Sequence, residues 1–221
     1  MKMYEVIRSF LSASGTLPVL ALALLLGGCS NSINLRTEAE VPQPLVPQIP
    51  LRVGIHFDKE FRNYVYQEDT EDRPDWHVDN RDSRLALFQQ VLTSMFREVR
   101  QIDANQAPDN NIDAIISPEV EEMQLALPRE TYSDLYEAWI KYNIRLYSTS
   151  GKLIAEWPVT GYGKAVKGFL GSRDKSLNKA IGMALRDIGA KLALGFPQAS
   201  PVKQWLASRT SCEAAATTLS C

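Results

Sequence analysis

The sequence predicts an α+β domain, a mixed sheet of about four strands with two helices packed on one of its faces, in the chain order βαβββα. Three observations carry this. Tyr136, Ala138, Ile140, Tyr142, Ile144 and Leu146 form one face of a strand and Trp139, Lys141, Asn143 and Arg145 the other, and after the turn signal Ser148-Thr149-Ser150-Gly151 the alternation resumes at Leu153, Ala155, Trp157 and Val159; that pattern is an antiparallel hairpin. Two other stretches, Arg84 to Arg100 and Asp174 to Leu194, place their apolar residues three and four apart, so that each forms a helix with one apolar stripe. The 221 residues are 45% hydrophobic and 23% charged, a balance that belongs to a globular chain rather than a disordered one.

Taken in order, the chain opens with Lys2 and Arg8, then an apolar run from Leu17 to Leu26, then Gly27, Gly28 and Cys29. The ten-residue run would span only about 15 Å as a helix, roughly half a bilayer's hydrocarbon core. It is therefore a secretory signal and not a permanent span. Pro18 and the glycine pair bracket the run, which argues against a buried core helix. Leu26-Gly27-Gly28-Cys29 resembles the lipobox of bacterial lipoproteins: an aliphatic residue, two small residues, and the cysteine that is lipidated and becomes the mature N-terminus. The resemblance implies residues 1–28 as signal peptide, Cys29 as the lipidation site, and a triacylated anchor that holds a protein stably on a membrane. Ser30 after the cysteine, in place of an aspartate, implies the outer membrane by that family's sorting pattern.

Residues 29–50 are expected to form a tether. Pro42, Pro44, Pro47 and Pro50 exclude helix and ladder from Ser30 to Pro50 and favour an extended, polyproline-like chain reaching up to about 60 Å. The α+β domain itself is expected over residues 51–196. Leu51, Val53, Ile55 and Phe57 share one face of a first strand, and Phe61 to Tyr66 extends it or forms a short neighbour. Glu68 to Asp82 crowds seven carboxylates around Trp76 and His77; without calcium-loop spacing it reads as a solvated acidic loop.

The first helix presents Leu85, Phe88, Leu92, Met95, Phe96 and Val99, with Asn80 or Asp82 to cap it. Ile112 to Leu127 reads as a long strand whose parity switches: Ile112, Ala114 and Ile116 lie on one phase, Met123, Leu125 and Leu127 on the other. Pro118 stands between them, which places a bulge or a break there. In the hairpin, Pro158 points to a strand that has an open edge or ends irregularly. Gly161 to Ser172 reads as a glycine-punctuated loop, and the second helix offers Leu177, Ile181, Leu185, Ile188 and Leu192, closed by Gly195 and Pro197. The tail, 197–221, carries a short helical turn at Pro201 to Leu206 and is otherwise expected to lack structure.

Chemistry-bearing residues are few. With Cys29 lipidated, Cys212 and Cys221 form an even pair in an oxidising compartment, where a disulfide would close a small loop. The segment GYGKAVKGFLGS lies between a strand and a helix but has Val166 where a dinucleotide turn needs glycine, and it lacks the Gly-Lys-Ser/Thr of a P-loop. Lys164, Lys167 and Arg173 nevertheless make it the most basic stretch, a candidate contact for lipid phosphate or an acidic partner. There is no G-x-S-x-G and no H-E-x-x-H, and His56 and His77 are the two imidazoles. Glu119, Glu121 and Glu122 are the acids that carboxylate-only glycan cleavage would draw on. No cofactor and no metal is expected. Loss of Lys2, Glu5 and Arg8 with the signal leaves 22 basic against 25 acidic side chains, which argues against a nucleic-acid partner.

Over Leu51 to Gly195 the element order resembles that of the lipopolysaccharide-assembly lipoproteins and of the auxiliary lipoproteins of ABC-type envelope transporters. The long tether departs from the first of these, whose domain begins near the lipidated cysteine, and no functional residue is carried over. The expected function is a non-catalytic, outer-membrane-anchored periplasmic protein that binds an envelope protein partner through exposed strand edges and the aromatic faces of Trp139 and Trp157. The other classes open to such a chain are an enzyme acting on peptidoglycan or glycan and a lipid-binding module. The oligomeric state is left open.

Overall fold

The computed structural model describes residues 32–37, 42–103, 111–168 and 172–218, the side chains of 210–218 excepted. Cys29, the signal and Cys221 lie outside the described residues, and of Cys212 only the helical backbone is described, so the lipid anchor and the disulfide remain expectations of the sequence.

Among the described residues eight strands and five helices follow one another: β1 (Ser32–Arg36), β2 (Ile49–His56), α1 (Lys59–Asn63), β3 (Tyr66–Glu68), β4 (Asp75–Asp79), α2 (Arg81–Met95), β5 (Phe96–Ile102), β6 (Ala114–Ala126), α3 (Pro128–Thr131), β7 (Leu135–Tyr147), β8 (Leu153–Val166), α4 (Arg173–Gly195), a 3-10 turn (Phe196–Gln198) and α5 (Ser200–Thr218). The class is α+β as expected, but a single sheet of about four strands with two helices understates it. There are two sheets, one in the order β1-β4-β3 and one in the order β5-β2-β6-β7-β8. In the larger sheet β2 runs parallel to both β5 and β6, while β6, β7 and β8 are antiparallel.

Several segments differ from the sequence reading, and the reason is in some cases local and in others a distant partner. Ser32–Arg36 is a strand inside the expected tether, because Ile33 and Leu35 are both buried at a period of two before the prolines begin. The acidic stretch is a hairpin: Tyr66, Trp76 and Val78 alternate inward while Gln67 and His77 pair across the outside. Its turn is held by Arg73, whose guanidinium donates to Glu68, to Glu130 at 3.1 Å and to the Leu125 carbonyl. The first helix stops at Met95, and Phe96 passes straight into β5, where Val53 pairs with Val99. Nothing local separates helix from strand in FREVRQI; a non-local parallel partner decides it. Finally the tail forms α5, and Gly195 does not close α4 in a left-handed cap but stays helical at φ −82° and leads into the 3-10 turn.

The parity switch in β6 is present. Ala114 and Ile116 face inward before it and Met123 and Leu125 after it, all buried, and the register slips between Val120 and Glu122. The extra residue is Glu121, three positions past Pro118, which itself sits in the ladder opposite Ile144. Pro158 lies on β8, an edge strand of the larger sheet, as its missing N–H requires.

The core lies between the inner face of the larger sheet and α2, α4 and the small sheet, and it includes Phe61, Phe88 and Tyr142 in mutual aromatic contact. Within it Arg84 is fully buried. Its guanidinium donates to the Phe61 carbonyl at 2.7 Å, to the Tyr64 carbonyl at 3.2 Å and to the Asn80 side chain, and stacks over the Phe61 and Tyr64 rings. It thus satisfies carbonyls that the end of α1 leaves without helical partners.

Candidate functional site

The inner face of β6–β8 is filled by the core, so the residues of opposite parity form an outward face. This face gathers five of the residues singled out from the sequence: Trp139, Lys164, Glu119, Glu121 and Glu122. Antiparallel register puts Glu119 opposite Asn143, Glu122 opposite Lys141, Gln124 opposite Trp139, and Trp139 in turn opposite Tyr162. Side chains on one face of neighbouring strands are close enough to bond, and here they form a cross-strand ladder.

At one end Arg145 reaches both ways, to Glu119 at 2.7 Å and to Glu156 at 2.9 Å, and Asn143 also donates to Glu156. Hydrogen bonds from Arg145 first, and from Asn143, hold the Glu156 carboxyl below its ordinary value, while the bond to Glu156 raises Arg145. In the middle Lys141 donates to Glu121 at 2.6 Å, which gives the bulged residue its partner. Gln124 donates to Glu122 at 2.6 Å. At the far end the rings of Trp139 and Tyr162 meet at 5.0 Å with planes 36° apart. Partial burial, then the nearby Glu137 carboxylate, raises the Tyr162 hydroxyl. The three candidate glutamates thus stand on an open surface, each bonded to a neighbour.

Lys164 belongs to this face, opposite Glu137. Lys167 is exposed just past β8, its backbone N–H donating to the Asp134 carbonyl at 2.7 Å. Arg173 is the first residue of α4 and pairs with Asp174 at 3.3 Å. The basic loop expected over 161–172 is therefore largely the end of a strand. Trp157 is also not on this face: it turns inward and packs edge-on against Phe196 at 5.7 Å. The contact surface built on Trp139 and Trp157 together is corrected accordingly, and the partner of Trp139 is Tyr162.

The loop reading missed Tyr162, yet the signal was present. Val159, Gly161, Gly163 and Ala165 continue the inward parity with smaller residues, and they do so where α4 crosses. A Cβ at Gly161 would stand 2.2 Å from the Ala184 carbonyl oxygen, and one at Gly163 2.0 Å from that of Ala180. The glycines are spaces for a helix, not punctuation of a loop.

The free edge of β8 is not a bare template for another strand. The Tyr162 N–H donates to the Asp187 carboxylate at 2.9 Å, and Lys191 donates to the Thr160 carbonyl at 2.9 Å and to Asp187 at 2.8 Å. Two residues of α4 thus occupy the middle of the edge, which corrects the expectation that β8 offers its edge for contact.

No protein-family model and no curated protein matches this chain. Solved structures similar to it include a Xanthomonas campestris protein of the DUF330 family, at 15% identity over 73% of this chain and 93% of that one, with a TM-score of 0.49. They also include a minor lipoprotein of Acinetobacter baumannii, at 11% identity over 74% and 96%, TM-score 0.38. A third is the uncharacterized lipoprotein B of Nitrosomonas europaea, at 14% identity over 72% and 82%, TM-score 0.34.

Proposed function

We propose that this chain is a lipoprotein, anchored through Cys29 to the periplasmic side of the outer membrane, that binds a protein partner in envelope assembly or lipid transport without catalysing a reaction. The observation that carries the reading is the outward face of β6–β8. It presents the half-buried Trp139 and the exposed Tyr162 in ring contact at one end, beside a ladder of charges that pair Lys141 with Glu121 and Arg145 with Glu119 and Glu156. An aromatic pair with a polar rim is the anatomy of a protein contact. The paired charges add orientation without a large desolvation cost, since each keeps its partner when the face is covered. Glu119, Glu121 and Glu122 serve as ladder partners here, and that role accounts for them without a reaction. The anchor rests on the lipobox.

Two experiments test the two halves separately. A photo-crosslinking phenylalanine analogue in place of Trp139, expressed in cells, is expected to yield a discrete adduct with an envelope protein; the same analogue in place of Met183, on α4, is not. Equal or absent labelling at the two sites refutes the face. Cys29→Ala is expected to release the protein from the outer-membrane pellet, and a variant that still pellets refutes the anchor.

A further inference from the structure

A concave feature elsewhere on the domain shares no residue with the outward face. It is a groove of about 1130 Å³ lined by the extended segment 46–51, by Met95 and Ala193 at the ends of α2 and α4, and by Pro197 and Leu206 of the last turn and helix. That volume is at the upper end of small-molecule sites, which run to about 1,000 Å³. Val46, Ile49, Leu51 and Leu206 are apolar, half-buried and packed on the core, so one wall after another is greasy.

The remaining lining is strongly one-signed. Arg52, Arg97 and Arg209 reach the groove, and Asp113 is the acid among its lining residues. Asp113 is already shared: Arg209 donates to one carboxylate oxygen at 2.8 Å, and the Arg52 backbone N–H donates to the other at 2.8 Å with the Arg52 Nε 3.7 Å away. Arg97 is exposed and has no carboxylate partner among the described residues. Three guanidinium groups against one carboxylate leave a surplus of positive charge at an otherwise apolar groove.

From this pairing of apolar walls with an unpartnered guanidinium, we propose that the groove binds a long-chain fatty-acid carboxylate. The hydrocarbon chain lies along Val46, Ile49, Leu51 and Leu206, and the carboxylate accepts hydrogen bonds from Arg97. A guanidinium matches a carboxylate in a two-pronged geometry, and its methylene stem extends the apolar wall. Charge chooses the head and the walls choose the tail; a compact inorganic anion would leave the walls wet.

The test uses the full-length protein in vesicles of neutral phosphatidylcholine, photolabelled with a diazirine analogue of palmitate, the labelled peptides being mapped by mass spectrometry. Labelling is expected in 46–52, around Met95 and in 193–209. Arg97→Glu, at an exposed position, is expected to cut it at least tenfold, whereas Lys203→Glu, an equal change of charge outside the groove, leaves it unchanged. The corresponding diazirine fatty alcohol is expected to label at a tenth of the level or less. Labelling that avoids the groove, survives Arg97→Glu, falls equally with Lys203→Glu, or is matched by the alcohol overturns the proposal. None of these outcomes bears on crosslinking at Trp139, so the groove and the outward face fail independently.

Discussion

The same substitution, glycine to alanine, should change the stability of this protein in opposite directions at positions that sequence alone does not distinguish. At Gly163 the new methyl carbon would stand 2.0 Å from the Ala180 carbonyl oxygen and 2.4 Å from the Ala184 nitrogen; at Gly161 it would stand 2.2 Å from the Ala184 carbonyl oxygen. The obstacles are helix backbone, which cannot rotate away, so α4 must withdraw from β8 by more than about 1 Å before ordinary contact distances return. Overpacking typically costs about 1–3 kcal/mol, and a rigid obstacle places each of these variants near about 3 kcal/mol. For a chain of this size that lowers Tm by roughly 6–12 °C. At Gly195 nothing lies within 4 Å of the added carbon and φ is −82°. There alanine only removes freedom from the unfolded chain, which stabilises by about 0.4–1 kcal/mol. Thermal unfolding followed by circular dichroism reads all three. If Gly161→Ala and Gly163→Ala melt within about 2 °C of the wild type, or Gly195→Ala falls as far as they do, the close crossing of α4 over β8 is wrong.

Arg84→Met should destabilise by about 2–4 kcal/mol in urea unfolding, since it strands the Phe61 and Tyr64 carbonyls inside the core; a loss under about 1 kcal/mol would mean those carbonyls find other partners. Tyr142→Phe should leave stability unchanged or raise it, because the tyrosine hydroxyl is buried with no protein partner, and a loss above about 1 kcal/mol would show that the hydroxyl is bonded. Glu156 has a lower pKa folded than unfolded, so what it contributes is present above its ordinary pKa of 4.5 and fades as the pH falls through the folded value. Glu156→Gln should therefore flatten the acid side of a Tm-against-pH profile and leave its alkaline side unmoved. Asp187→Ala combined with Lys191→Ala should keep the fold but uncover the middle of the β8 edge, with concentration-dependent self-association in sedimentation as the expected result; a strictly monomeric double variant with wild-type Tm would show that the edge needs no guard.

What could be read from the sequence was whatever a local period encodes. The β7–β8 hairpin, the α4 stripe and the parity switch in β6 are all written in residues less than one element apart, and each stands in the structure close to where the pattern puts it. What could not be read depends on partners far along the chain. FREVRQI has apolar residues at both helical and strand spacing, and it becomes β5 because β2, more than forty residues earlier, offers a parallel ladder. The acidic stretch looked solvated because its carboxylates outnumber its apolar residues. Yet Tyr66, Trp76 and Val78 are spaced for one buried face, and while Glu68 pairs with Arg73 of the hairpin's own turn, Asp82 pairs with Arg36 of β1, more than forty residues earlier.

The outward face shows the same division on a smaller scale. Trp139, Lys164 and the glutamates were each visible as polar or aromatic residues out of phase with the core, but their meaning depended on whether β8 ended at Val159 or continued. Ending it there makes Lys164 and Tyr162 loop residues and leaves Trp139 without a stacking partner. Continuing it by seven residues places Tyr162 on Trp139 and Lys164 opposite Glu137, and it turns two glycines from loop formers into the seat of a helix. The deciding residues are therefore not on the face at all. Gly161 and Gly163 admit α4, α4 brings Asp187 and Lys191 to the edge, and those two side chains hold the strand in register where it carries Tyr162. An aromatic surface on one side of the sheet is positioned by small residues on the other, so a methyl group added at Gly163 should loosen the Trp139–Tyr162 pair without touching either ring.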